Sequence, residues 1–354
     1  MIHNSAISTP GFYMQRCLQL ASLGAGYVAP NPMVGAVLVY NDRIIGEGYH
    51  QKYGEAHAEV NCIASVKEED KELISQSVLY VSLEPCAHFG KTPPCADLII
   101  KNEIPKVVIG CRDPFKEVDG KGIEKLKAAG INVELGMLEK ECKEINKRFF
   151  TFYTKHRPYI ILKWAQSRNK KISSGTNERL LISNEYTNQL VHKWRSEEAG
   201  ILIGTNTALM DDPELTTRLW NGASPVRQVV DINLRLPDSL KIFNQQVKTI
   251  IFNKTRHEET ENLIYYQVEE NINLVHEIMN ALYQLKIQSV LVEGGARLLQ
   301  SFIDAQLWDE ARVITGDKMA PENGLNAPVL IDYIQTDSFQ LYRDAINIFK
   351  FSAY

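Results

Sequence analysis

Four side chains able to run a hydrolytic reaction fall in order near the start of this 354-residue sequence: His57, Glu59, Cys86 and Cys95. Zn²⁺ binds imidazole nitrogen and thiolate sulfur tetrahedrally, and a catalytic site keeps three protein ligands and leaves the fourth position to water. Water held in that way loses a proton near neutrality, so hydroxide is available to attack an electron-poor amidine carbon. Glu59 lies two residues from His57 on a predicted helix, so it points elsewhere than the ligand and can carry protons to the ring nitrogen and the departing amine. His-x-Glu followed by Pro-Cys is the pattern of zinc deaminases, here with eight residues between the cysteines where two are usual. A structural zinc site would need a fourth protein donor, and His88 is the candidate for that reading.

The elements that must carry these groups follow from local patterning. Met14 to Ala25 has helical spacing, and Met33 to Tyr40 is a β-rich run that turns at Asn41-Asp42 into a return strand, Arg43 to Glu47. Ala56 to Val66 reads as the helix bearing His57 and Glu59, Ser77 to Leu83 as a strand delivering Glu84-Pro85-Cys86, and Cys95 to Asn102 as the next helix. Lys106 to Gly110, Gly122 to Ala129 and Ile131 to Leu135 continue as strand, helix and strand. The alternation predicts a layered α/β unit. Two zinc ligands then meet at one helix N-terminus and the third at another, where helix dipoles favour thiolate.

Phe149 to Pro158 is an aromatic, basic stretch, read as a seam between domains, with the boundary near residue 155. The second half alternates again: strands at Tyr159 to Trp164, Ala199 to Gly204, Arg227 to Ile232, Thr249 to Phe252 and Ser289 to Glu293, with a helix at Glu185 to Glu197. Strand, Gly294-Gly295 and helix form a place where a nucleotide phosphate could meet backbone N–H groups, although a Gly pair after a strand is more often a tight turn. Arg195, Asp211-Asp212-Pro213 and Arg218 read by default as surface charges, a turn or a cap.

Charge narrows the partners. The chain carries a formal net charge of -4, and residues 1–155 hold 18 basic and 19 acidic side chains, so neither half offers a polyanion-binding field. We expect no nucleic-acid partner and no membrane partner, since no apolar run of about 18 residues exists to span a bilayer. The N-terminus lacks the basic-then-apolar pattern of a signal peptide, which predicts a cytoplasmic protein. All six cysteines (Cys17, Cys62, Cys86, Cys95, Cys111 and Cys142) lie in the first 142 residues, and no disulfide framework is expected.

Pro30-Asn31-Pro32-Met33-Val34-Gly35-Ala36, Gly46-Glu47-Gly48-Tyr49-His50, His57-Ala58-Glu59, Ser82 to Cys95 with Gly90-Lys91-Thr92-Pro93-Pro94 inside it, and Arg112-Asp113-Pro114 together resemble the bifunctional riboflavin-biosynthesis deaminase/reductase family. The resemblance implies a cytidine-deaminase-like three-layer α/β/α domain over residues 1–155 and a dihydrofolate-reductase-like α/β domain over 156–354. It implies Zn²⁺ on His57, Cys86 and Cys95, with Glu59 catalytic. In the second domain Leu162-Lys163, Trp194-Arg195, Gly204 to Thr207, Asp211 to Arg218 and Val292 to Ala296 carry the likeness. Position by position, Ala165, Leu181, Thr207, Asp211, Gly295, Ala296 and Arg297 would contact NADPH. Arg195, Leu215, Arg218 and Glu293 would contact a small pyrimidine ribose phosphate, whose phosphate a guanidinium grips through paired hydrogen bonds. A homo-oligomer is expected. The implied reactions are deamination of 2,5-diamino-6-(5-phosphoribosylamino)pyrimidin-4(3H)-one and NADPH-dependent reduction of its ribosyl group to ribityl.

The family's usual Ser-Leu-Asp-Gly is replaced here by Ser167-Arg168-Asn169-Lys170, and its Ser-x-Trp by Arg179-Leu180-Leu181. Both changes fall on the cofactor side and leave open a deaminase with a degenerate, nucleotide-binding C-terminal domain. Two further readings stay open from the residues alone: a nucleoside or tRNA deaminase with an accessory domain, and a non-enzymatic zinc-stabilised binding protein.

Overall fold

The computed structural model describes residues 10–89, 93–176, 180–269 and 272–352. Gly90, Lys91, Thr92 and Arg179, which belong to the sequence motifs above, lie outside the described residues. The chain divides into two compact units, Met1–Lys155 and His156–Tyr354.

The first unit runs α1 (Pro10–Ser22), β1 (Gly35–Tyr40), β2 (Arg43–Tyr49), α2 (Ala58–Ala64), β3 (Val78–Leu83), α3 (Cys95–Lys101), β4 (Lys106–Cys111), α4 (Lys121–Ala128), β5 (Asn132–Leu135), α5 (Glu139–Ile145) and α6 (Lys147–Lys155). Its five strands line up as β2-β1-β3-β4-β5, antiparallel from β2 to β3 and parallel from β3 to β5. Side chains alternate across a strand, so the sheet buries two faces. Ala36, Leu38, Leu79, Val81, Val107 and Ile109 pack with Cys62 of α2, Ile99 of α3 and Leu126 of α4. Val37, Tyr80 and Val108 meet Met14 and Cys17 of α1 and Cys142 of α5 on the other side. The result is helix, sheet, helix.

Element types follow the sequence pattern and the ends shift. α1 stops at Ser22 because Leu23 and Gly24 turn back to Leu20 and Ala21 through tight i, i+3 bonds. His57 is not inside a helix: it is the extended residue preceding α2 (φ −74, ψ 169), and Glu59 occupies the first turn. The aromatic stretch forms α6, with Phe149 and Phe152 buried and the Tyr153 ring 4.7 Å from Phe149 and 5.0 Å from Phe115.

The second unit runs β6 (Tyr159–Gln166), α7 (Glu185–Glu197), β7 (Gly200–Gly204), α8 (Thr205–Asp211), β8 (Val226–Val230), β9 (Thr249–Asn253), β10 (Glu258–Glu259), β11 (Leu263–Gln267), α9 (Leu274–Gln284), β12 (Ser289–Val292), α10 (Ala296–Asp304), β13 (Glu310–Thr315), β14 (Tyr333–Leu341) and β15 (Asp344–Phe351). One sheet holds all ten strands in the order β10-β11-β9-β8-β7-β12-β6-β13-β15-β14. Strands β11 through β13 in that order are parallel. The central strands are buried on both faces, as parallel strands covered by helices must be, so Ile160 to Leu162, Ile201 to Ile203 and Val290 to Val292 read as continuous apolar runs. α9 and α10 cover one face; α7 and α8 cover the other.

Candidate functional site

In the first unit three side chains converge from separate elements. His57 enters from the start of α2, Cys86 from the loop after β3, and Cys95 as the first residue of α3. His57 Nδ1 stands 3.6 Å from Cys86 Sγ and 3.4 Å from Cys95 Sγ, and all three donor atoms lie within 4.8 Å of one another. Two ligands of a tetrahedral zinc, at about 2.0 Å for nitrogen and 2.3 Å for sulfur, stand about 3.6 Å apart. The donor set therefore fits zinc in identity and in spacing. The N-terminus of α3 receives Cys86: the Cys95 N–H donates to Cys86 Sγ at 3.3 Å and the Ala96 N–H to the Cys86 carbonyl at 3.1 Å. A hydrogen bond from Cys95 and the nearby His57 hold the Cys86 thiol down, while the same contact and burial push Cys95 up; both sulfurs would bind zinc as thiolates.

Glu59 is buried at 3% exposure and lies outside the donor group, close enough to Cys95 to hydrogen-bond it. Burial and the neighbouring Cys86 push its carboxyl up to about 7, against the opposing pull of His57. His88 does not join the metal donors. Its ring lies 6.1 Å from that of Phe115, and among the described residues its buried Nδ1 has no hydrogen-bond partner. A second imidazole that was quoted in the motif but given no role, His50, packs edge-on to His57 at 5.3 Å. Its Nδ1 meets the Ala56 carbonyl at 3.0 Å and its Nε2 the Asn31 amide at 3.2 Å; burial holds its pKa down. The only sequence signal for it was its position within the Gly46 to His50 run.

In the second unit the grouped residues sit at the carboxyl ends of β6, β7 and β12, where open parallel sheets hold ligands. Glu293 follows β12, and its carboxylate takes both Arg195 Nε at 2.8 Å and Arg195 Nη2 at 2.7 Å, with Lys163 Nζ of β6 at 3.7 Å. Burial alone would raise Glu293, and the two cations outweigh it and hold the group at about 2. Arg195 is thus occupied by Glu293. Arg218 is half-exposed, paired with Glu214 at 2.8 Å, and its backbone N–H donates to His192 Nδ1 at 2.9 Å. Leu215 is buried beside it with a left-handed backbone (φ 56).

Thr207 of α8 accepts the Gly295 N–H at 3.0 Å, and a Cβ on Gly294 or Gly295 would stand 3.3 Å from its side chain. Gly295 precedes α10 without a side-chain cap, Ala296 and Arg297 open that helix, and Arg297 is exposed. Close backbone at an uncapped helix N-terminus suits a dinucleotide phosphate. Ala165 lies near the end of β6, while Asp211 is an exposed residue at the end of α8, followed by Asp212 as its left-handed cap. Leu181 is 69% exposed on the stretch leading into α7. The departure at 167–170 is an ordered turn: Asn169 Nδ2 donates to the Ala320 carbonyl and its Oδ1 accepts the Ala320 N–H.

Residues 8–111 match the cytidine and deoxycytidylate deaminase zinc-binding region, and residues 158–322 match the RibD C-terminal domain. The riboflavin biosynthesis protein RibD of Aquifex aeolicus is 40% identical over 316 residues, covering 88% of this chain and 87% of that one. The chain belongs to the RibD family. RibD of Escherichia coli is 34% identical over 328 residues, 87% of this chain and 88% of its own. The crystal structure of a diaminohydroxyphosphoribosylaminopyrimidine deaminase/5-amino-6-(5-phosphoribosylamino)uracil reductase from Thermotoga maritima superposes with a TM-score of 0.87 at 34% identity, covering 96% of this chain and 98% of that one. Acinetobacter baumannii RibD gives the same TM-score at 30% identity. The protein is a bifunctional enzyme of riboflavin biosynthesis, with a cytidine-deaminase-like first domain and a RibD reductase second domain. A degenerate second domain is not favoured. Among the described residues no helix is long and apolar enough to cross a membrane.

Proposed function

We propose that the first domain hydrolyses the exocyclic amine of 2,5-diamino-6-(5-phosphoribosylamino)pyrimidin-4(3H)-one and that the second reduces the ribosyl group of the product to ribityl with NADPH. The observation that carries the first half is the convergence of His57 Nδ1, Cys86 Sγ and Cys95 Sγ at 3.4 to 3.6 Å beside the buried Glu59. Zinc, when bound by these three, supplies the Lewis acidity that brings water's pKa toward neutrality. Glu59 would carry both protons of the attacking water in turn, the first to the ring nitrogen as the C–O bond forms and the second to the amine, which leaves as ammonia with the electron pair of the broken C–N bond. Its placement in the first turn of α2, two residues beyond the ligand His57, keeps it close to the donors without joining them.

In the second domain NADPH, when bound, supplies a hydride for C1′. Thr207, Gly295, Ala296 and Arg297 would hold its phosphates, with Ala165, Leu181 and Asp211 as further contacts. Arg218 and Leu215 would meet the substrate, with Arg195 and Glu293 fixed as a pair beneath it. The uncapped α10 N-terminus against Thr207 supports this reading.

The test is Glu59→Gln in the full chain. Ammonia release from the diaminopyrimidine phosphate is expected to fall by about 10²-fold or more while zinc content and folding persist. Undiminished turnover would remove Glu59 from the chemistry.

A further inference from the structure

Cys86 is joined to its strand by two residues, Glu84 and Pro85, and the first of these carries a buried acid that the reaction does not use. Glu84 is 4% exposed, and among the described residues no lysine, arginine or histidine pairs with it. Its two oxygens are filled by backbone. Oε2 accepts Asp113 N–H at 3.3 Å and Gly120 N–H at 3.0 Å; Oε1 accepts Gly122 N–H at 3.0 Å and Ile123 N–H at 3.3 Å. Four acceptor sites are what a carboxylate offers, so every one is taken. Two of the donors belong to the first turn of α4, where helix N–H groups point outward and the dipole favours an anion, which explains how the acid is buried with no counter-cation.

The backbone around it is gripped as tightly. Glu84 N–H donates to the Cys111 carbonyl at 3.0 Å, extending the β3–β4 pairing by one step. A Cβ on Gly122 would stand 1.9 Å from the Pro85 carbonyl oxygen, so α4 presses directly on the peptide that leads into Cys86. Beyond it, the Cys86 carbonyl and sulfur are held by the first N–H groups of α3.

We propose that Glu84 is a positioning residue for the deaminase: by binding the start of α4 and the loop before it, it fixes the Pro85–Cys86 peptide and with it the place of the Cys86 sulfur. The proposal rests on the reading of Cys86 as a zinc ligand. A helix cap that served stability alone would leave the metal site unchanged in any variant that still folds. A carboxamide at position 84 keeps the shape but sets an NH₂ against two N–H donors, so Cys86 is released from below. Gly122→Ala keeps the carboxylate at position 84 and instead drives a methyl from α4 into the Pro85 carbonyl oxygen, with Glu84 Oε1 3.2 Å away.

The experiment uses the full chain with Co²⁺ in place of zinc, following the visible ligand-field and thiolate bands, together with kcat and KM for ammonia release and NADPH oxidation on the deaminated pyrimidine. Glu84→Gln and Gly122→Ala are each expected to alter the Co²⁺ spectrum, weaken Co²⁺ binding by about 10-fold or more, and lower kcat by a similar factor with KM little changed. NADPH oxidation in the same variants stays at the wild-type rate. Folded variants with a wild-type spectrum and kcat overturn the proposal, and so does loss of the circular-dichroism signal in both, which would make the contact structural only. Failure of the underlying reading has a different signature: wild-type chain that takes up no Co²⁺ removes the ligand assignment, and the positioning role with it.

Discussion

Arg195 and Arg218 differ in what each leaves behind when it is removed. Arg195 and Glu293 expose 13% and 7% of their side chains and meet through two short bonds, so Arg195→Ala strands a buried carboxylate with only Lys163 at 3.7 Å. Breaking a buried pair on one side costs about 3–5 kcal/mol, which thermal unfolding of the second domain would read directly. Arg218 is 49% exposed and its pair with Glu214 is of the surface kind, worth at most about 0.5 kcal/mol. Its removal should leave the melting temperature nearly unchanged and raise KM by about 10-fold or more, if one charge-assisted bond to phosphate is worth roughly 1.5–3 kcal/mol. An unchanged KM would take Arg218 out of the phosphate site. His192 links the two. Burial and the nearby Arg195, Arg218 and Lys163 lower it from 6.5 to about 4, against the pull of Glu293, and its Nδ1 accepts the Arg218 N–H only while unprotonated. The unfolded chain then binds this proton below pH 6.5 and the folded chain only below about 4. Stability is complete above pH 6.5 and is lost as pH falls toward 4, by less than the roughly 3 kcal/mol of the full shift because solvent screens part of it. His192→Asn offers an acceptor in place of Nδ1 and should flatten that part of the stability-against-pH curve; an unaltered slope would assign the effect to other groups. The sequence made the zinc donors legible because their chemistry is fixed by residue type. It did not reveal that Arg195 is spent on Glu293, since that pairing depends on α7 crossing the end of β12, 98 positions away.

At the level of elements, the deaminase site depends on how closely α2 lies on β2. A Cβ on Gly48 would stand 2.2 Å from the Cys62 nitrogen and 2.6 Å from the Ala58 carbonyl oxygen, both backbone atoms of the helix that carries Glu59. Neither can swing aside as a side chain would. Gly48→Ala is therefore expected to push α2 off the sheet, lowering the thermal stability of the first domain by about 1–3 kcal/mol and kcat for ammonia release more than KM. A variant with wild-type stability would mean that the helix has room to slide. The same elements bear on what patterning can read. The apolar runs inside β6, β7 and β12 (Ile160 to Leu162, Ile201 to Ile203 and Val290 to Val292) stand out in the sequence because helices cover both faces. β13 does not: Glu310 and Arg312 alternate with Ala311 and Val313, yet both charged residues are buried, paired with each other at 2.6 Å, and the Arg312 guanidinium lies 4.9 Å from the Trp194 ring. β14 escapes for the opposite reason, with polar and apolar residues mixed and nearly all exposed, so no periodicity marks it. The ends of α2 were misplaced because His57 has an extended backbone, which residue propensity does not report.

On the scale of the whole chain, the two activities draw on chemically separate sets of groups. Among the described residues, His57, Cys86 and Cys95 form the one cluster of three or more metal-binding side chains, and it belongs to the first domain. The second domain's polar candidate contacts are backbone N–H groups, a threonine, arginines, the exposed Asp211 and Glu293, whose carboxylate two cations already neutralise. None of these requires a metal. Removing zinc with a chelator should therefore abolish ammonia release while leaving NADPH oxidation intact when the deaminated pyrimidine is supplied directly, and adding Zn²⁺ back should restore the first activity. The comparison is internal, because both rates come from the same chain at the same concentration, so loss of protein cannot mimic loss of metal. Ammonia release that survives complete zinc removal would sink the metal-dependent reading of the first domain. Parallel loss of both activities would mean that the cluster supports the fold of more than the domain that contains it, since no second group of three or more metal-binding side chains occurs among the described residues.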